Sequence, residues 1–150
     1  MSSVSGPKER KHVPGPFETW TRRVAFLCLA LIFSQASTWQ VAGALVVLGY
    51  DEFQIFGTDA RMVIDAMPTF TMGFAAGTFQ ACILAVFILL LARRKRAMHV
   101  LLGAAILHVL IWVRVSFNPY VPAWPGLVIF TSEVICMVML SMLANRRLLR

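Results

Sequence analysis

Charge is scarce in this sequence. Only 14% of its 150 residues are Asp, Glu, Lys or Arg, and seven acidic residues face fourteen basic ones. Soluble domains carry about 25% charged residues, so the deficit excludes an ordinary water-soluble fold. Cysteine is scarce too. Cys28, Cys82 and Cys136 are scattered and odd in number, which excludes a disulfide framework and the usual zinc spacings; each reads as a small hydrophobe inside an apolar run. No nucleophile elbow, phosphate-binding loop, HExxH or CxxC occurs. Without such a pattern, no catalytic residue, metal site or cofactor is expected.

What the chain has in abundance is apolar surface: 59% of it is hydrophobic, with a mean hydropathy of +0.74. A membrane-crossing helix needs roughly 20 mainly apolar residues. Residues 23–48, 69–92, 97–117 and 124–144 qualify. Short connections make consecutive helices antiparallel neighbours. The expected fold is therefore an all-α integral membrane domain, residues 19–150, forming a four-helix antiparallel bundle. Ahead of it, residues 1–18 combine Ser, Gly, Pro and charge and read as a flexible basic tail. The first apolar stretch exceeds the roughly 7 to 15 residues of a cleavable signal peptide, and is expected to stay as a helix.

A net charge of +7 would suggest nucleic acid in a soluble protein. Here the placement of the charges points to the bilayer instead, and no nucleic acid partner is expected. Lys8, Arg10, Lys11, Arg22 and Arg23 precede the first helix, Arg93, Arg94, Lys95 and Arg96 fill one turn, and Arg146, Arg147 and Arg150 end the chain; these are 12 of the 14 basic residues. By the positive-inside rule both termini face the cytoplasm, and the expected location is a bacterial inner membrane. The partners expected are the lipid bilayer and a second copy or a larger membrane-protein complex.

The first external connection is the acidic one, with Asp51, Glu52, Asp59 and Asp65. Within it "TDARMVIDAM" predicts a short helix capped by Thr58 or Asp59, with Met62, Val63 and Met67 on one face. Pro68 suits the opening of the second long helix, where a missing amide proton costs nothing. Trp112, Tyr120 and Trp124 are expected at the outer interface and Trp20 at the inner one.

Aligning the helices by depth places Gln35, Gln80, His108 and Glu133 near one midplane layer. A charged side chain at the bilayer centre costs about 2.5 kcal/mol or more, so Glu133 is expected to point inward, with His108 as its partner. A carboxyl and an imidazole in contact can share one proton. The plainer reading makes the same layer hydrogen-bond glue between helices, at roughly 0.6 to 2 kcal/mol per contact. Arg114, about two turns from His108, either snorkels to the surface or hooks an anion at a cavity mouth. Gly73 and Gly77 form a GxxxG step that permits close helix packing. His99 and His108 lie about half a turn apart in azimuth and cannot clamp one haem, while His12 lies in the tail.

Three functions follow in order of preference: a non-enzymatic accessory or scaffold subunit, a proton-coupled small-solute transporter using Glu133 and His108, and a haem-binding subunit. The topology has a direct test, run in a background without the native cysteines. Ser3→Cys and Asn145→Cys should resist an impermeant thiol reagent in intact cells, and Thr58→Cys should react. Labelling of Ser3→Cys from outside would overturn the orientation.

Overall fold

The computed structural model describes residues 14–50, 52–65 and 69–149, with side chains from Gly73 onward in the helix that starts at Thr69. Residues 1–13, Asp51, residues 66–68 (Met67 and Pro68 among them) and Arg150 lie outside the described residues. In chain order the elements are α1 (Pro16–Val47), β1 (Gln54–Ile55), β2 (Thr58–Asp59), α2 (Ala60–Asp65), α3 (Thr69–Leu91), α4 (Arg96–Val115) and α5 (Trp124–Asn145). Four of them, α1, α3, α4 and α5, are long and apolar enough to cross a membrane. The chain is a multi-pass helical bundle.

The long helices match the apolar stretches closely except at the start of α1. That helix begins at Pro16 rather than residue 23, so residues 16–18 are helical and not tail. The local chemistry explains the difference. Pro16 is preorganised for the first helical position, Thr19 N–H donates to Gly15 O at 3.0 Å, and Glu18 sits in the first turn, where the positive end of the helix dipole favours an acid. Hydropathy cannot register two polar turns added to an apolar helix.

One spacing organises the interior. The buried positions are Thr21, Ala25, Leu29, Ile32 and Ala36 on α1, Phe79, Ile83, Val86 and Leu90 on α3, Ala97, Leu101, Ala104 and His108 on α4, and Ile129, Ser132, Cys136, Leu140 and Leu143 on α5. Every step is three or four residues, which keeps one stripe of each helix facing its neighbours. Around the bundle α1 packs most extensively on α5 and α3 on α4, and the α1–α3 and α4–α5 contacts close the ring.

At one end, the basic end, the start of α1 meets the ends of α3 and α5. Glu18, only 3% exposed, lies 3.4 Å from the Arg93 guanidinium and 3.9 Å from that of Arg22. Arg22 also donates to Leu90 O at 3.0 Å, satisfying a carbonyl in the last turn of α3. Arg146 stacks over the Phe17 ring at 3.8 Å. Arg93 has φ 56°, the left-handed conformation that often ends a helix. Arg94 N–H then donates to Leu89 O at 2.8 Å. Beyond the orienting role expected of them, these arginines tie three helix ends together.

The other end is closed by a hairpin that the sequence reading did not anticipate. β1 and β2 pair antiparallel, with Ile55 opposite Thr58, across Phe56 and Gly57, both at positive φ. Two such central residues fit a type I′ turn. For Phe56 this conformation is costly, and its ring contacts offset the cost: its centroid is 5.4 Å from Trp39 and 4.9 Å from Trp124. The short helix α2 forms with Asp59 as its cap, Oδ1 accepting from Met62 N–H at 3.1 Å. Its buried residues are Ala60, Val63 and Ile64. Of the expected face, Val63 is buried, Met62 is exposed and is corrected, and Met67 lies outside the described residues.

Within the chain, the tightest glycine contact among the described residues is made by Gly126. A Cβ on Gly73 would meet nothing within 4 Å, and one on Gly77 would meet only Gln40 Nε2 at 3.8 Å. A Cβ on Gly126 would instead overlap the Trp112 ring. Helix propensity favours Ala over Gly by about 1 kcal/mol, whereas overpacking against a bulky ring costs about 1–3 kcal/mol. Gly126→Ala should therefore lower the melting temperature in detergent by a few degrees, Gly126→Leu by more, and Trp112→Leu should recover most of the loss. An unchanged melting temperature in Gly126→Leu would show that Trp112 does not rest on α5.

Candidate functional site

His108 occupies the last step of the buried stripe on α4, and Glu133 lies between Ser132 and Cys136 on α5. The helix packing that buries their apolar neighbours therefore brings these two side chains face to face. His108 Nδ1 is 3.0 Å from Glu133 Oε2, with the side chains 9% and 3% exposed. The imidazole also leans on the Phe79 ring of α3, centroids 5.4 Å apart and planes inclined by 33°. Glu133 Oε1 is buried and without a hydrogen-bond partner. The pair is thus isolated from water on the Glu133 side.

On the other side of His108 lies a cavity of about 390 Å³, within the range typical of small-molecule sites. Its walls include Trp39 and Gln40 of α1, Phe79 of α3, His108 and Trp112 of α4, and Ile129 of α5. Ile64 of α2 borders it toward the hairpin, and Gly73, which is exposed, stands at its rim. Since Nδ1 is taken by Glu133, Nε2 is the ring atom left to meet an occupant. Gln40 Nε2 is buried and has no hydrogen-bond partner.

The remaining residues of the expected layer divide. Gln80 donates from Nε2 to Ser37 Oγ at 2.8 Å, and Ser37 in turn donates to Phe33 O at 2.8 Å, a link between α3 and α1. Gln35 has a buried Oε1 without a hydrogen-bond partner. Arg114 is exposed near the end of α4 and is not among the residues lining the cavity. Asp65 of the acidic connection pairs with Arg61 at 3.4 Å on the surface. Gly73 and Gly77 lie on the α3 face turned toward the cavity and Gln40.

Trp112 is half-buried over Gly126 and lines the cavity. Trp39, Gln40 and Phe79 were not singled out as site residues. Trp39 and Gln40 are adjacent in a stretch already rich in Ser, Thr and Gln, where one more polar residue carries no distinct signal. Phe79 is one of eleven phenylalanines, and only packing selects it.

Among the described residues, no group of three or more His, Cys, Asp or Glu side chains converges as a metal site. His99 is exposed on α4, and His12 lies outside the described residues. Compared with known proteins, the chain matches no family model, no curated protein and no solved structure.

Proposed function

We propose that this chain is an integral membrane protein that binds a small molecule in the cavity beside His108 and exchanges a proton there through the His108–Glu133 pair, as a proton-coupled carrier of small solutes would. The observation that carries the reading is the double engagement of one imidazole. Its Nδ1 meets a buried carboxyl at 3.0 Å, while the same ring lines a cavity of about 390 Å³. A structural hydrogen bond needs the first of these and not the second. Imidazole is the side chain best suited to exchange protons at neutral pH, and ionisable residues within membrane helices mark ion or proton pathways.

The orientation belongs to the same proposal: an antiparallel bundle in a bacterial inner membrane, both termini cytoplasmic, with the cavity on the outer side. The clustering of Arg22, Arg93 and Arg146 at one end and of Trp39, Phe56 and Trp124 at the other supports it. The accessory-subunit reading keeps one observation in its favour. Gly73 and Phe74 are exposed, Phe74 at 73%, leaving an open stripe on α3 for a partner helix.

Infrared difference spectra of the purified chain in nanodiscs, recorded with and without bound solute, test the pair. A carboxyl band should change on binding in the wild type and vanish in Glu133→Gln. His108→Gln should alter that response, because it removes the group that shares the proton. Solute-dependent proton uptake should be lost in both variants, and the double variant should be little worse than either, as for residues acting as a unit. A Glu133 carboxyl that keeps one protonation state throughout would leave the pair as helix glue.

A further inference from the structure

At the basic end, two guanidiniums share one carboxylate. Glu18 Oε1 lies 3.4 Å from Arg93 and 3.9 Å from Arg22, so its single negative charge offsets only one of the two positive charges held beside it. The two arginines differ in what they can still reach. Arg22 is held by Leu90 O at 3.0 Å and is mostly buried, whereas the Arg93 side chain is 33% exposed. Arg23 and Arg94, their chain neighbours, are exposed as well. Among the described residues, the α1–α3 junction therefore carries surplus positive charge, and Arg93 presents it.

Below that junction the groove between the same two helices has an aromatic floor. Arg22 and Phe26 stand one turn apart on one face of α1, and Phe87 and Leu91 one turn apart on one face of α3. The Phe26 and Phe87 rings meet across the groove with centroids 5.0 Å apart, and both are half-buried. Leu91 is exposed. A cationic head over an apolar floor is the shape of a phospholipid with the signs reversed. Basic pockets between membrane helices bind anionic headgroups, and the planar arginine fork matches phosphate.

We infer that the α1–α3 groove at the basic end holds one anionic phospholipid, its phosphate on Arg93 and an acyl chain along Phe26 and Phe87. A free phosphate would use only the arginine end of the groove, and a lipid uses both parts. Because its walls belong to two helices, an occupant of the groove ties α1 to α3. Binding to the folded state alone then raises the stability of the bundle.

Native mass spectrometry of the full-length chain, released from nanodiscs of phosphatidylcholine and phosphatidylglycerol in equal amounts with matched acyl chains, tests this. The wild type should retain one phosphatidylglycerol in preference to phosphatidylcholine, and its melting temperature in detergent should rise saturably as phosphatidylglycerol is added. Arg93→Gln should lower that preference about tenfold, the effect of one charge-assisted contact. Lys95→Gln removes the same charge from an exposed position and should leave the preference nearly unchanged. Equal losses in the two variants would make the attraction a diffuse property of the basic end and overturn the site, as would equal retention of both lipids by the wild type. If Arg93→Gln does not fold in phosphatidylcholine, Arg93→Lys is read in its place, because it keeps a charge beside Glu18 and loses the fork. Its preference should fall severalfold, and an unchanged preference overturns the inference. Displacement of phosphatidylglycerol by millimolar inorganic phosphate at constant ionic strength would leave an anion site and reject the lipid.

Discussion

A polar side chain on a buried helix stripe must find its partner within the protein, on a neighbouring helix or on its own backbone, because a hydrocarbon surrounding supplies none. The rest of this bundle is arranged around that constraint. Glu133 is answered by His108 across the α4–α5 contact, and Gln80 by Ser37 across α1–α3. Thr21, Ser132 and Ser141 turn back to carbonyls of their own helices four residues earlier, which removes them from the count of groups needing a partner. The polar contacts between helices are few, and each ties together helices that are also packed by apolar residues.

Packing is uneven along the bundle, and side-chain size explains it. Between the basic end and the His108–Glu133 pair, the stripes carry Leu29, Ile32, Ile83, Leu90, Leu101 and Leu140, all fully buried. Toward the hairpin end the facing positions are small, among them Ala36, Gly43, Ala44, Ala76 and Gly126. Large residues fill the first region and small ones leave the cavity in the second. The pair stands at the junction, sealed on the Glu133 side and open on the His108 side. Phe56, between Trp39 and Trp124, fixes the hairpin over the hollow part, so access and shape there depend on a loop rather than on helix packing alone.

The helices were legible because a long apolar run is a local property. Glu133 and His108 were legible as partners because each is the costliest residue to bury in its helix, and neighbouring helices offer few alternatives. Gly73 and Gly77 were legible as a motif, but among the described residues of this chain no helix packs closely on them. A GxxxG step states what could approach closely, whereas the approach itself falls at Gly126, beneath Trp112. The hairpin escaped because Phe56–Gly57 lacks the Asn–Gly or Asp–Gly signature of its turn, and because a ring contact with distant tryptophans, rather than local preference, holds Phe56 at φ 51°. Gln40 escaped for want of contrast with its neighbours.

The sequence by itself determined how many helices there are, close to where they end, and which residues were too polar to face hydrocarbon, since all three follow from composition along a single chain. The tertiary structure alone decided which side of His108 is filled and which is hollow, which glycine lets two helices meet, and that Glu18 serves as a shared anchor for Arg22 and Arg93. Those outcomes depend on the sizes of residues that face each other from different helices, and no single stretch of sequence contains both faces of a contact.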